Sequence, residues 1–430
     1  MKWIWLFVAL ATLGSIGQAA TTKVIADGFP QVMNSQREGV HWQDNLSVVI
    51  LNEDNLPVER ASLVVDGKEL LSDNQGRISV PTAPKSDWLV VKKPGFQKVY
   101  VAPQESNLIT VKISLQEINA VYVSTGFARN LNGSKMSTVL ELMEETQLNA
   151  IVIDVKDDEG RVSSGLEGLV SELKSRGVYT IARVVTFKDN RAPRKNSNLG
   201  IQRSNGKLWA DRNNVTYLNP MNSKAHDYVI SVANSAVDMG FDEIQFDYVR
   251  FPTDGALGQI SWGVELNSDV RSQAIASFLK KARAALGKRG AYVSADVFGI
   301  TGHDKNDSGI GQHLETIVPH IDYASPMVYP SGYASGTFGI KSPAKNPYDI
   351  VKKSLDLYTS RALVANPDLI IRPWLQAFRD YSKDKQRYGD KEIKDQIKAA
   401  MDSGSLGFLL WNASSNYTYA GLKRHRMRKP

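Results

Sequence analysis

The segment 241–252, FDEIQFDYVRFP, places charge at the end of an apolar stretch. Ile244 and Phe246 supply apolar bulk, and Asp247 and Arg250 stand where a strand should give way to a loop. An ionised carboxylate beside so much apolar surface is costly unless it is ion-paired or takes part in catalysis or binding. We therefore predict that Asp247 is a catalytic nucleophile or base.

The same arrangement recurs along the chain: an apolar run, a polar or aromatic residue at its C-terminal end, and then a helical stretch. In a (β/α)8 barrel, the C-terminal ends of the strands carry the active site. The predicted catalytic residues are Asp154, Asp247 and Asp296. The predicted substrate-binding residues are Lys156, Arg183, Arg250, Tyr329, Trp374, Gln376 and Trp411.

Alternation along the strands selects which acids face the barrel lumen. If Asp247 points inward, Gln245 does so too, and Asp296 faces inward from the next strand. Asp154 shares its parity with Lys156, so we expect both in the lumen. Two acids on neighbouring strands could supply the acid and base of a glycosidase. We expect Asp247 and Asp296 to be the closest carboxylate pair and hydrolysis to retain anomeric configuration.

Structural roles for these residues remain open from the sequence. Asp247 could form only a buried ion pair with Arg183 or Arg250, and Asp154 could pair with Lys156. The tryptophans at the strand ends could belong to the core, because Trp is often largely buried.

The elements that would position these residues alternate between strands and helices from residue 119 onward. Eight strands, with a helix after each of the first seven, predict a TIM barrel. The predicted strands are Ala120–Ser124, Ala150–Val155, Tyr179–Val185, Glu243–Val249, Tyr292–Phe298, Tyr323–Val328, Leu369–Leu375 and Gly407–Trp411. A doubly wound open sheet is the alternative, but no Gly-rich phosphate loop follows the first strand.

The N-terminal part has a different pattern. Residues 1–20 are typical of a secretory signal peptide, with Lys2 before an apolar run too short to span a membrane. An uncleaved anchor is the alternative. Short strands separated by turns such as Asp66-Gly67 predict a small all-β sandwich over residues 44–116. The barrel is predicted over 119–420 and a basic tail over 421–430.

Composition excludes several chemistries. The chain contains no cysteine, so thiol catalysis and Cys-ligated metals are ruled out. The six histidines are scattered, and we expect neither a metal nor another cofactor. The net charge of +7 falls to +1 without Lys2 and the five basic residues among the last nine. The tail could therefore touch anionic surfaces weakly, but nothing indicates a nucleic-acid partner or an integral membrane segment after signal cleavage.

Two resemblances to known families cover most of the chain. Segments 56–68, 72–80 and 91–101 resemble the carboxypeptidase regulatory-like (transthyretin-like) domain, which implies an accessory module without catalytic residues. Residues 121–416 resemble the family named the putative glycoside hydrolase domain, whose barrels are related to the alpha-amylase type and to exopolysaccharide hydrolases. The runs that carry this second resemblance include IVIDVKDDEG at 151–160, IARVVTFKD at 181–189, FDEIQFDYVRFP at 241–252, SADVFG at 294–299, DYASPMVYPSGY at 322–333 and GFLLWNAS at 407–414.

The second resemblance implies a glycosidase-like site with Asp247 in the strand-four nucleophile or base position. In the alpha-amylase pattern an Arg precedes that Asp by two residues and a Glu ends strand five. Here Gln245 and Asp296 stand at those positions. The resemblance therefore implies a glycosidase whose acid and base differ from the amylase pattern.

We thus expect an exported protein, periplasmic or secreted, that hydrolyses a bacterial or environmental polysaccharide. One alternative is a barrel that binds glycans on Tyr329, Trp374 and Trp411 without cleaving them, because aromatic faces can pack on sugar rings. The other alternative is a metal-dependent polysaccharide deacetylase.

Overall fold

The computed structural model describes residues 24–26, 41–382 and 384–424. The predicted signal peptide and the last six residues of the basic tail lie outside this part. Within the described residues, no helix combines the length and the apolar character needed to cross a membrane.

The first eight strands form two sheets that face each other across an apolar core. The five-stranded sheet has the order β1-β7-β6-β3-β4, and the three-stranded sheet has the order β5-β2-β8. The predicted turn at Asp66-Gly67 joins β3 to β4, and both residues have positive φ, as a tight hairpin turn requires. The strands are β1 (Val24–Ala26), β2 (Leu46–Leu51), β3 (Ser62–Val65), β4 (Lys68–Leu71), β5 (Arg77–Val80), β6 (Leu89–Lys92), β7 (Val99–Val101) and β8 (Leu108–Lys112).

The remaining strands are parallel and close into a barrel. Neighbours pair in chain order, β13 pairs with β14, and β17 returns to β9. The strands are β9 (Ile118–Val123), β10 (Ala150–Lys156), β11 (Tyr179–Val185), β12 (Glu243–Asp247), β13 (Tyr292–Phe298), β14 (Tyr323–Met327), β15 (Ile370–Ile371), β16 (Trp374–Gln376) and β17 (Gly407–Trp411). This closure confirms the TIM barrel preceded by a small β domain, and the open sheet is wrong.

Helices between the strands cover the outside of the barrel with their apolar faces. Two of the longer helices begin at asparagine caps, where the side chains of Asn222 and Asn267 accept hydrogen bonds from backbone N–H groups of the first turn. The helices are α1 (Thr125–Ala128), α2 (Ser134–Glu145), α3 (Glu167–Ser175), α4 (Ala192–Lys195), α5 (Ser223–Asp238), α6 (Ser268–Gly287), α7 (Leu314–Ile317), α8 (Pro347–Ala365) and α9 (Asp390–Asp402).

The sequence predicts the seventh barrel strand as one run over 369–375, but the structure divides it into two. It consists of β15 and β16, separated by Arg372 and Pro373. Proline has no N–H to donate to a ladder, so it interrupts the strand. The carbonyl of Pro373 still accepts a hydrogen bond from the N–H of Leu409 in β17, and this bond keeps the barrel closed at this point.

Alternation along β12 divides the barrel core into two layers, as predicted. Ile244 and Phe246 pack in the outer layer against the helices. Glu243 accepts a hydrogen bond from Tyr179 inside the barrel, and Gln245 donates to Ser325 across the lumen. Polar side chains therefore continue along the lumen up to Asp247.

The sandwich packs against the N-terminal end of the barrel through buried lysines. Lys92 donates to the carbonyl of Ala291 at 3.2 Å, and Lys98 donates to the carbonyl of Asp242 at 3.2 Å. Burial lowers the pKa of Lys98 to about 8, although the Asp242 carboxylate opposes this change. Because these acceptors directly precede β12 and β13, the sandwich covers one end of the barrel and leaves the other open.

Candidate active site

Three charged residues at the open end of the barrel form a buried ion-pair network. Arg183 Nη1 donates to Asp154 Oδ1 at 2.6 Å, while Nε and Nη2 donate to Asp247 Oδ2 at 2.9 and 2.5 Å. Tyr122 donates its hydroxyl to the other oxygen of Asp154 at 2.6 Å. Although burial opposes the charge, the two carboxylates hold the pKa of Arg183 well above its ordinary value. Asp247 is therefore fixed as an ion-paired carboxylate at the mouth of the lumen.

Asp296 has a contrasting environment on the neighbouring strand. It is almost fully buried, and Trp374 donates its ring N–H to Asp296 Oδ1 at 2.7 Å. Burial, reinforced by the charge of Asp247, raises the pKa of Asp296 well above its ordinary range, against the opposing effects of Arg183 and the Trp374 hydrogen bond. This environment favours the protonated acid.

A cavity of about 200 Å³ opens above these carboxyl groups. Its lining combines the two acids with cationic and aromatic side chains. The lining residues are Arg183, Asp247, Tyr248, Arg250, Asp296, Phe298, Gln312, Met327, Tyr329, Trp374 and Trp411. Seven of the ten residues predicted as catalytic or substrate-binding are among them, so the structure brings most of the predicted set together.

Arg250 is held against the cavity wall by two aromatic rings. Its guanidinium carbon lies 5.1 Å from the ring centre of Tyr248 and 5.5 Å from that of Phe298. Its Nη1 donates to the carbonyl of Phe251 at 2.9 Å. This arrangement presents a cation to the cavity on a rigid support.

The backbone is strained where β12 ends. Tyr248 has φ +48°, in the left-handed region that aromatic residues rarely adopt. Its N–H donates to Asp247 Oδ1 at 2.6 Å. The turn thus directs the Tyr248 ring into the cavity and supplies Asp247 with another donor.

Lys156 corrects the sequence prediction. The register between β10 and β11 shifts between Asp154 and Lys156, which breaks the shared parity of the two residues. Lys156 is fully buried and pairs with Asp189 at 2.9 Å, and it is not among the residues that line the cavity. Asp154 pairs with Arg183 instead of Lys156, as the network above shows.

The structure also corrects the prediction that Gln376 binds substrate. Its side chain is fully buried and accepts hydrogen bonds from the N–H and hydroxyl of Ser331, at 3.1 and 2.8 Å. Gln376 therefore anchors the loop after β14 instead of lining the cavity. Asp154 is also absent from the cavity lining and contacts Asp247 only through Arg183.

Sequence reasoning missed four lining residues. Tyr248 directly follows Asp247, and Phe298 ends β13 two residues after Asp296, so strand position could have indicated both. Gln312 and Met327 gave no such signal. Gln312 accepts the backbone N–H of Phe298 at 2.9 Å from a loop that the strand pattern does not place.

Across the residues that the structure describes, no group of three or more His, Cys, Asp or Glu side chains is arranged to hold a metal ion.

Three solved structures are similar to parts of this chain. The glycoside hydrolase domain of PgaB (BpsB) from Bordetella bronchiseptica has 14% sequence identity and a TM-score of 0.52, over 70% of this chain and 95% of that one. A hypothetical protein from Ruminiclostridium thermocellum has 30% identity and a TM-score of 0.36, over 41% of this chain and 97% of that one. The glycoside hydrolase domain of PelA from Pseudomonas aeruginosa has 14% identity and a TM-score of 0.41, over 70% and 96%. The PgaB likeness supports the fold alone.

Sequence comparison gives the family directly. No curated protein matches the chain. One family model, described as "Putative glycosyl hydrolase domain", matches residues 120–417, which include the whole cavity lining. The match does not extend to the sandwich, so its resemblance to the carboxypeptidase regulatory-like domain stays a prediction. Through its barrel, the chain belongs to the "Putative glycosyl hydrolase domain" family.

Proposed function

We propose that the barrel hydrolyses a glycosidic bond of a polysaccharide, with Asp247 and Asp296 as its carboxyl pair. The observation that carries this proposal is the contrast between the two environments. Asp247 is ion-paired with Arg183, whereas burial beside Asp247 raises the pKa of Asp296. An ion-paired carboxylate beside a carboxyl group whose pKa is raised is what acid and base catalysis of this reaction requires.

The catalytic roles of Asp247 and Asp296 follow from their two environments. Asp296 donates its proton to the glycosidic oxygen as the bond to the anomeric carbon breaks. Asp247 acts on the anomeric carbon as nucleophile, or activates the attacking water as base. Asp154 touches neither reacting atom and positions Arg183, which in turn orients Asp247.

The strand register supports the retaining assignment. Phe246 of β12 pairs with Ala295 of β13, so Asp247 and Asp296 follow at the same level of adjacent strands. Adjacent strands lie about 4.8 Å apart. Retaining enzymes hold their carboxyl groups roughly 5–5.5 Å apart, and inverting enzymes roughly 6.5–9.5 Å. Proton NMR of the first-formed anomer tests this point.

The cavity wall suits a sugar. Trp374 and Trp411 meet edge to face at 5.5 Å, and Tyr329 lines the same space. Sugar C–H faces pack on such rings, while hydroxyl groups need polar partners such as Gln312. The signal-peptide pattern of residues 1–20 supports export, so we propose that the protein acts in the periplasm or outside the cell, where polysaccharides are exposed.

The test is reducing-end release from a panel of cell-wall polysaccharides and exopolysaccharides. We expect Asp247→Asn and Asp296→Asn each to lower kcat by about 10²–10⁴-fold. The fold should persist in Asp247→Asn, because Asn still offers an oxygen to Arg183 and Arg183 keeps Asp154. Asp54→Asn, in an exposed turn of the sandwich, is the matched control and should retain full activity.

Three outcomes would overturn the proposal. Full activity of Asp247→Asn on a substrate that the wild type cleaves would remove Asp247 from the reaction. Saturable binding of a glycan with no release from any substrate would instead support the glycan-binding barrel, for which the aromatic lining is the favouring observation. Activity that chelators abolish would support the deacetylase alternative.

A further inference from the structure

A second depression opens at the same end of the barrel, outside the cavity already described. It has a volume of about 690 Å³, within the range of ligand-binding sites. The loop after β10, the segment after β11, and Arg129 beyond α1 form its walls. We call this depression the basic groove, because its lining includes Arg129, Arg161, Arg191 and Lys195 and no acidic residue.

The cations of the basic groove are only partly neutralised. Arg161 pairs with Asp157 at 2.7 Å, and Arg129 donates to the carbonyl of Ser164. Arg191 and Lys195 are exposed and have no ion-pair partner among the residues that the structure describes. A concave surface that concentrates uncompensated charge of one sign raises the local concentration of ligands of the opposite sign.

The walls of the basic groove are built on a buried ion pair. Asp189, paired with Lys156, accepts the backbone N–H groups of Arg191 and Ala192, both at 2.8 Å. On the opposite wall, Gly160 has φ +78°, and a Cβ added there would lie 2.2 Å from Asp189 Oδ1. One buried carboxylate thus fixes both walls, so the positions of the backbone around the cations are set before any ligand arrives.

The basic groove is adjacent to the candidate active site. Lys188 pairs with Asp158 of the β10 loop at 2.8 Å, and its ammonium lies 5.0 Å from the ring centre of Tyr248, which lines the cavity. Lys188 therefore links the wall of the cavity to the β10 loop, which supplies Gly160 and Arg161 to the groove. The cavity itself presents Arg250, which has no ion-pair partner in the described part of the chain.

We propose that the basic groove binds anionic groups of the polysaccharide, so that the substrate is an acidic glycan carrying carboxylates or phosphodiesters. This inference rests on the proposed function for the identity of the polymer, but not for the charge preference. Two separate surfaces present uncompensated cations to one chain: Arg250 at the cavity, and Arg191 with Lys195 in the groove. A glycan is favoured over a nucleic acid because the adjoining cavity contains a pair of carboxyl groups, Asp247 and Asp296, of the kind that glycosidic hydrolysis uses.

The test is direct binding to the full chain carrying Asp247→Asn, which slows turnover by about 10²–10⁴-fold. The probes are labelled oligogalacturonate, with its methyl-esterified form as the uncharged match, and phosphomannan, with neutral mannan as its match. We expect the charged member of at least one pair to bind roughly tenfold more tightly than its neutral match at low salt. The preference should shrink as salt is added. The pair that shows it identifies carboxylate or phosphodiester as the anion.

The groove variant is Arg191→Gln combined with Lys195→Gln. Both side chains are exposed, so the melting temperature should stay within about 1 °C of its parent. The matched control is Lys112→Gln with Lys288→Gln, two exposed lysines, one on the sandwich and one following α6. The groove variant should lose the charge preference and the control should keep it.

Each remaining outcome contradicts the inference. Equal affinity for charged and neutral members of both pairs would overturn it, and so would a charge preference that survives in the groove variant. Tighter binding of a short DNA duplex than of either acidic glycan would assign the basic groove to nucleic acid. Failure of the proposed hydrolysis is scored separately, by product release from the chain with Asp247 intact.

Discussion

The Glu69 carboxylate joins the sandwich to the barrel through several charged and polar partners. Arg283 of α6 donates to both of its oxygens, at 2.7 and 2.9 Å. Lys92 lies 3.1 Å from Oε1, and the hydroxyl of Ser62 donates to the same oxygen at 2.8 Å. We expect Glu69→Gln to destabilise the whole chain, because it removes the charge that these partners share.

The magnitude follows from the pKa of Glu69. Burial alone would raise it, but the Arg283 hydrogen bonds and the Lys92 charge outweigh burial and lower it from 4.5 to about 2. A difference of this size corresponds to about 3 kcal/mol of folding free energy. Since the folded-state pKa is lowered, this stability is fully present above pH 4.5. It is lost as the pH falls from 4.5 towards 2.

The assay is urea unfolding of wild type and Glu69→Gln between pH 3 and 7. The difference in unfolding free energy should be about 3 kcal/mol at pH 7 and should shrink below pH 4.5. Glu172→Gln is the matched control, because its pair with Arg176 is exposed on a helix surface and should contribute less than about 0.5 kcal/mol. A difference that stays constant with pH would refute the reasoning, since the cost would then come from packing rather than charge.

Three further predictions concern the barrel. Trp374→Phe removes the hydrogen bond that lowers the pKa of Asp296, so this pKa should rise. The alkaline limb of the kcat/KM profile should then move to higher pH. An unmoved limb would contradict the assignment of Asp296 as the general acid. Lys156→Met leaves a buried carboxylate unpaired and should cost about 3–5 kcal/mol in urea unfolding, with KM for a neutral substrate unchanged. Tyr122→Phe removes a donor to Asp154 and should cost about 1.5–3 kcal/mol by the same measurement, and an unchanged stability would show that water replaces the hydroxyl.

Most of the barrel could be predicted because parallel strands buried on both faces are nearly continuous apolar runs. The predicted bounds of β11, β13 and β17 agree with the structure at both ends. The inward direction of Asp247 and Asp296 followed from alternation, which holds wherever a strand is regular. These two facts were enough to place the proposed carboxyl pair.

The errors arose where a strand is irregular. The register shift after Asp154 turned Lys156 away from the lumen, and no residue type in the sequence marks that shift. Pro373 did mark the break in the seventh strand, because its missing N–H interrupts a ladder. Loop residues such as Gln312 could not be placed at all, since their position depends on tertiary contacts rather than on a period.

The docking of the two domains was also beyond sequence reasoning. Lys92 and Lys98 look like ordinary surface lysines in a strand pattern, and only the assembled fold shows them buried against the barrel. Their partners, such as Asp242, are distant in sequence. A buried lysine is stable only where a carbonyl or carboxylate is placed to receive it, and that placement is a property of two surfaces together.

Ion pairs stabilise both ends of the barrel, but the costly features lie at the C-terminal end, which supports the position of the site there. At the N-terminal end, Glu69, Arg283 and the buried lysines form a dense set of ion pairs that stabilises the fold. At the C-terminal end, Tyr248 adopts a left-handed conformation that costs of order 1–3 kcal/mol, and Asp296 is buried beside another acid. Strain and unfavourable burial persist only where the surrounding structure imposes them, and in TIM barrels that end carries the chemistry. The strain at Tyr248 and the burial of Asp296 therefore mark the surroundings of Asp247 as the site of the chemistry.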